Sequence, residues 1–221
     1  MRSGGDAVAD GQGDLRALRD WVAALDDSRQ YAVAVSCVKD DIYAHEIGQA
    51  FESLSRATLH FVESSAKFAG VRNAYDEPQR LGVDRWLALL AIEARGHNSA
   101  VIIDVGTACT IDVMENGQHL GGYIFPGMAL ARDALVAKTD KIRFSEDPEP
   151  STSLGTDTAS CVLSGIWLTL LASCQSVVDR FPNATVYLTG GSAPELVALG
   201  LDAQRVDGLV FDGLDFWLNG A

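Results

Sequence analysis

The stretch from Val101 to Gly127, VIIDVGTACTIDVMENGQHLGGYIFPG, constrains this chain more than any other. Val101 to Val105 is a short apolar run, the pattern of a buried strand, and its end Asp104-Val105-Gly106-Thr107 delivers a carboxylate to a glycine turn. Thr110 to Met114 reads as the return strand. Asn116-Gly117 is a strong hairpin signal, and Leu120 to Phe125 makes a third strand closed by Pro126-Gly127. The result is a strand meander whose first turn offers bare backbone and a hydroxyl, with the acids Asp104 and Asp112 on either side.

Such a turn suits phosphate chemistry. Gly106 lets backbone N–H groups approach a polyphosphate without obstruction, and Thr107 adds a hydroxyl donor. Asp104 would repel a naked phosphate, so its natural task is to hold a cation that neutralises one. An ordinary hairpin with a polar turn fits the same few residues equally well.

At 221 residues with 48% apolar content, the chain is long enough for one large or two small domains with a real core. A net charge of -13 argues against a nucleic-acid groove or an anionic membrane surface, because both reward clustered Lys and Arg. A small anionic ligand is compatible with that charge, since backbone dipoles and a bound cation act locally. The N-terminus, rich in Gly and Asp, lacks the apolar core of a secretory signal, and no run approaches a membrane span. Cys37, Cys109, Cys161 and Cys174 lack C-x-x-C spacing and read as buried free thiols in a reducing compartment. His45, His60, His97 and His119 lack metal-ligand spacing and read as surface or core-edge residues. The expected location is the cytoplasm.

In chain order, residues 1–13 read as a frayed start, and 14–25 as a helix with Asp14 as its N-cap. Tyr31 to Val38 reads as a buried strand, His45 to Leu54 as a helix and Leu59 to Val62 as a strand. This alternation predicts an α/β layer architecture with a mostly parallel sheet. Pro78 and Gly82 punctuate a loop, and Asp84 opens the apolar helical pattern beginning at Trp86. On spacing alone Asp84 is an N-cap and Arg85 a solvated cation. Ala129 to Ala137 and Thr158 to Val178 read as helices, the latter long and apolar, with a polar loop from Lys138 to Ser153 between them. Thr185 to Leu188 is a strand entering Thr189-Gly190-Gly191, Ala193 to Leu199 a helix, and Val210 to Leu218 a closing apolar element.

Four motifs in a fixed order carry a resemblance: Tyr75-x-x-Pro78-x-x-Leu81-Gly82-x-Asp84-Arg85-Trp86, Asp104-x-Gly106-Thr107-Ala108-x-Thr110-x-Asp112, Gly121-Gly122-x-Ile124-x-Pro126-Gly127 and Thr189-Gly190-Gly191. Together they resemble type III pantothenate kinase, the Bvg accessory factor family, over roughly Gly70 to Leu218. The resemblance implies an actin-like ATPase fold, ribonuclease H-like and duplicated, with an N-terminal half at 1–97 and a C-terminal half at 98–221. It also implies transfer of the ATP γ-phosphate to pantothenate, giving 4′-phosphopantothenate at the entry to coenzyme A synthesis.

By the same resemblance Asp84 is the general base. Tyr75, Gly82, Val83, Asp84 and Arg85 hold pantothenate, with Arg85 suited to its carboxylate. Thr158 matches the family's substrate-contacting threonine, though a helix-cap role fits it as well. Gly106 and Thr107 meet the ATP phosphates, Asp104 holds a monovalent cation, and Gly190 and Gly191 lie close to adenosine, which a plain strand-to-helix turn would also explain. The implied kit is Mg²⁺ with ATP, K⁺ or NH₄⁺ at Asp104, and a homodimer. Family members open with an apolar strand and a D-x-G-N-[ST] turn, and no such element precedes Asp14. On that ground the first half reads as N-terminally incomplete, through a downstream start, a truncation or a lost activity. A non-catalytic accessory or regulatory protein of the same family is the alternative function. The sequence leaves open the choice among the three, the preferred cation and the nucleotide specificity.

Overall fold

The computed structural model describes residues 2–3, 6–7, 15–26, 30–38, 41–52, 56–139 and 149–220. The chain forms two compact units, residues 1–95 with 208–221 and residues 96–207.

The first unit opens with a short antiparallel pair, β1 (Arg2–Ser3) and β2 (Asp6–Ala7), where a frayed start was expected. Asp14, the expected N-cap, lies outside the described residues, as does Leu54. The next elements are α1 (Leu15–Ala23), β3 (Tyr31–Val35), α2 (Asp41–Phe51) and β4 (Ala57–Phe61). β3 and β4 are parallel, with Val33 opposite Leu59, as a strand–helix–strand crossover requires. The helices close a small core of Val22, Ile47 and Phe51, where the Trp21 and Phe51 rings meet edge-on at 6.1 Å.

A hairpin of β5 (Lys67–Phe68) and β6 (Val71–Arg72) follows, then a 3₁₀ turn at Pro78–Arg80 and α3 (Val83–Ala94). Every residue of α3 from Arg85 to Ile92 is buried, the pattern of a helix apolar on all sides. The closing apolar element is α7 (Leu209–Gly220), which returns to this unit and crosses α3 at Gly213. A Cβ there would lie 2.1 Å from the Leu87 carbonyl oxygen, so only glycine permits the close crossing.

The second unit contains the meander β7 (Ala100–Val105), β8 (Ala108–Glu115) and β9 (Gln118–Pro126), then α4 (Met128–Lys138), α5 (Thr158–Val178), β10 (Thr185–Thr189), α6 (Ala193–Ala198) and β11 (Gln204–Arg205). Asn116 and Gly117 both have positive φ, 51° and 76°, the primed turn that a two-residue hairpin demands. The five strands lie in the order β11-β10-β7-β8-β9. β10 is parallel to both neighbours while the meander is antiparallel, so this sheet is mixed where a mostly parallel one was expected. The short Asn116-Gly117 loop decides this, because it can only reverse the chain.

Strand alternation sorts the meander into two faces. Val101, Ile103 and Val105 of β7 and Cys109, Ile111 and Val113 of β8 pack against Ile166, Trp167, Leu170 and Cys174 of α5. Asp104, Thr110 and Asp112 occupy the other parity. α5 is 21 residues without a charge, long and apolar enough by composition to cross a membrane, which corrects the expectation that no such segment exists. Its Ser, Thr, Cys and Gly residues disguise it in sequence, and one side of it is sheet core. The thiols also depart from expectation: Cys109 and Cys174 are buried, Cys37 half-buried and Cys161 exposed. A hydrogen bond with Cys174, together with burial, pushes the Cys109 thiol far above its ordinary value and keeps it protonated.

Candidate active site

In the first unit the site residues gather at the loop leading into α3. The loop is organised by Asn73, whose Oδ1 accepts the Tyr75 N–H at 3.0 Å while Nδ2 donates to the Ser65 and Pro78 carbonyls at 3.2 and 3.1 Å. Ser64 Oγ, buried, donates to the Leu81 carbonyl at 2.8 Å. These bonds fix both ends of a segment whose own regular structure is limited to the 3₁₀ turn.

The N-cap of α3 is Gly82, with no side-chain cap, and Asp84 sits one residue inside the helix. This corrects the N-cap reading of Asp84. Its Oδ1 accepts the Arg85 N–H at 2.8 Å, so the carboxylate folds over the first turn, where free amides and the helix dipole favour negative charge. Gly82 leaves the room for it, because a Cβ at that position would lie 2.7 Å from Asp84 Oδ1. Arg85 is 5% exposed, which overturns the solvated-cation reading. Its Nη1 donates to Tyr75 Oη at 3.0 Å, and its Cζ lies 5.9 Å from the Tyr75 ring centroid. Val83 and Trp86 are buried in the core on either side of the pair.

In the second unit the phosphate-type turn lies at the ends of adjacent parallel strands, with Thr189 of β10 opposite Asp104 of β7. Gly106 is half-buried and Thr107 exposed. The Gly106 N–H donates to the Ala108 carbonyl at 3.0 Å, which closes the turn tightly. Gly190, at φ 96°, is required twice over: for its conformation, and because a Cβ would lie 2.5 Å from both Asp104 Oδ1 and Val105 N. Gly191 is exposed beside it, and the Ser192 N–H donates to the Val105 carbonyl at 3.0 Å. The chain after β10 is thus stitched to the turn after β7.

Thr158 is the exposed first residue of α5, and it is not the cap. Asp157 caps this helix: it accepts the Ser160 N–H at 3.0 Å while Ser160 Oγ accepts the Asp157 N–H at 3.2 Å, a reciprocal capping box. The Ser160 N–H and hydroxyl hold the Asp157 carboxyl below the ordinary carboxylate range.

Asp112 does not flank the mouth of the turn. It is buried and its Oδ1 lies 2.9 Å from Nε2 of His119, which is fully buried, against the expected surface or core-edge position. Gly122 stands opposite Asp112 across the ladder. His45, His60 and His97 are exposed as expected.

Asp104 offers one carboxylate at the turn, and among the described residues there is no group of three or more His, Cys, Asp or Glu able to hold a metal ion. Sequence reasoning missed Asn73 and the Asp112–His119 pair. Neither has a local signature, because each is defined by partners that only the fold supplies.

Comparison with known proteins gives this geometry its context. The family model for type III pantothenate kinase matches residues 6–180. A type III pantothenate kinase of Marinobacter nauticus is 34% identical over 187 residues, covering 83% of this chain and 77% of its own length. One of Pseudomonas putida is 38% identical over 226 residues, covering 95% and 89%. Relatives from Acinetobacter baumannii, 36% identical, are spanned over 66% of their length. A crystal structure from Campylobacter jejuni, described as a Baf-family transcriptional activator, superposes with a TM-score of 0.57 at 20% identity over 89% of this chain and 84% of its own. That likeness is one of fold, and the fold is α/β of the actin-like ATPase kind. On the family match and the identity to these relatives, the chain belongs to the type III pantothenate kinase family.

Proposed function

We propose that this protein transfers the γ-phosphate of ATP to the primary hydroxyl of pantothenate, producing 4′-phosphopantothenate for coenzyme A synthesis. The observation that carries the reading is the Asp84–Arg85 junction, where a carboxylate held over a helix start is followed directly by a buried guanidinium bonded to Tyr75.

In this reading Arg85 grips the pantothenate carboxylate through its planar fork, with Tyr75, Gly82 and Val83 shaping the pocket and Thr158 adding a contact. Asp84 accepts the hydroxyl proton as the new P–O bond forms, a general-base contribution of about 10²–10⁴ in rate. Phosphoryl transfer needs positioning and charge neutralisation more than covalent help. Gly106 and Thr107 cradle the phosphates of Mg²⁺–ATP, and Gly190 and Gly191 admit the adenosine moiety. Asp104 would hold K⁺ or NH₄⁺, which supplies positive charge next to the phosphates. The acceptor residues Tyr75 to Arg85 belong to the unit of 1–95 with 208–221, and the donor residues, with Thr158, to the unit of 96–207. We infer a cytoplasmic homodimer. The charge-free α5, with Leu168 exposed on its outer side, and α4, which buries none of its residues, support the dimer.

Purified protein with Mg²⁺–ATP, pantothenate and K⁺ or NH₄⁺ should form 4′-phosphopantothenate, and Asp84→Asn should abolish turnover while pantothenate still binds by calorimetry. Pantothenate binding without any ATP consumption in the unmodified protein would favour the non-catalytic accessory role instead.

A further inference from the structure

We propose that Gly127 is a positioning residue for the phosphate-binding turn, acting on Gly106 and Thr107 through their backbone; this rests on the assignment of that turn to ATP phosphates.

Conformation does not demand glycine here. Gly127 has φ -71° and ψ 177°, extended backbone that any residue adopts. Space does demand it. A Cβ on residue 127 would lie 2.1 Å from the Gly106 carbonyl oxygen, 2.9 Å from the Thr107 carbonyl oxygen and 3.2 Å from the Gly106 carbonyl carbon. All three are main-chain atoms of the turn, so no side chain can swing aside. The contact is also attractive, because the Gly127 N–H donates to the Thr107 carbonyl at 3.0 Å.

Gly127 has no freedom to retreat. The residue before it, Pro126, is in register with Ala108 at the end of β9, and its own carbonyl accepts the Ala131 N–H at 2.9 Å as the N-cap of α4. A larger residue would therefore push the turn rather than move itself. The turn is also tied to Ser192 through the Val105 carbonyl, so the displacement falls on Gly106 and Thr107. Gly213 is a matched comparison. There a Cβ would also meet a carbonyl oxygen at 2.1 Å, that of Leu87, but in the other unit.

Gly127→Ala is expected to raise the KM for ATP by about tenfold or more while the KM for pantothenate stays within about twofold. Gly213→Ala, assayed below its melting point, should show no such selectivity. Hydrogen exchange of peptides covering 104–108 should speed up in Gly127→Ala without nucleotide, with peptides of 15–95 unchanged. An unchanged ATP KM, a parallel rise in both KM values, or unaltered exchange at 104–108 would each overturn the proposal. Should Gly127→Ala fail to fold, the wild-type protein decides: Mg²⁺–ATP must protect 125–129 together with 104–108, and protection of 104–108 alone refutes the coupling. If the wild type binds no nucleotide, the phosphate assignment fails, and exchange in the variant still judges the clamp itself.

Discussion

Arg85 Nη1 donates to Oη of Tyr75, ten positions earlier in the chain, at 3.0 Å, and Arg85 is 5% exposed. The tyrosine hydroxyl accepts this bond and orients the planar guanidinium fork. Arg85→Lys keeps the charge and loses the fork, so the pantothenate KM should rise roughly 10- to 100-fold, at about 1.4 kcal/mol per tenfold. Tyr75→Phe removes one hydrogen bond, worth about 0.5–1.5 kcal/mol, and should cost less. Steady-state kinetics on both variants checks the order, and a larger effect for Tyr75→Phe would contradict it.

Asp104 supplies the carboxylate of the proposed cation site, against which Gly190 packs without a side chain. Asp104→Asn should remove the stimulation of activity by K⁺ or NH₄⁺ over Na⁺ while the fold persists. A cation titration of initial rates, paired with circular dichroism, is the measurement. Undiminished stimulation in the variant would move the cation elsewhere.

Asp157 caps α5, and its folded-state pKa is depressed by the Ser160 N–H and hydroxyl. A depressed carboxylate contributes stability above its unfolded value, and that contribution is lost as pH falls through the folded value. Asp157→Ala should therefore lower Tm at neutral pH, with the gap from wild type closing only in strong acid, below the ordinary carboxylate range. Thermal melts at several pH values test this, and a gap independent of pH down to that range would show that the charge has no part in the cap.

Two glycines inside helices should respond in opposite directions. A Cβ added to Gly48, within α2, would meet no atom within 4 Å, whereas one added to Gly213 would meet the Leu87 carbonyl at 2.1 Å. Gly48→Ala should stabilise by about 0.5–1 kcal/mol through reduced chain entropy. Gly213→Ala should destabilise by about 1–3 kcal/mol through overpacking. Chemical denaturation gives both signs.

Leu168 is 52% exposed on an α5 that has no charged residue. If this side mediates the proposed homodimer, Leu168→Glu should shift the mass in solution from dimer to monomer with little change in secondary structure. Light scattering reads the result directly, and a dimer that survives the substitution places the interface on another surface.

Patterning located the helices and the longer strands, because apolar periodicity is a local record of what an element will bury, but it did not find the two-residue strands β1, β2, β5, β6 and β11. Thr158 to Val178 was bounded to the residue, and the meander needed only extension of its strand ends. The Asp84–Arg85 pair and the Asp104–Thr107 turn were likewise visible as motifs. Burial of Arg85 was not, since a cation at a helix start is solvated by default and becomes buried only when Tyr75 and the loop braced by Asn73 close over it.

What the sequence by itself determined is therefore the inventory: the strands, the helices, the glycine turns and the chemical groups placed at their ends. Tertiary structure alone decided which of those groups meet. His119 became a buried partner of Asp112 only once β9 paired with β8. Gly127 became indispensable because the end of β9 passes within contact of the Gly106 carbonyl. Spacing along a chain fixes the direction of a side chain within its own element, but distances between elements depend on pairing and packing that no local pattern encodes.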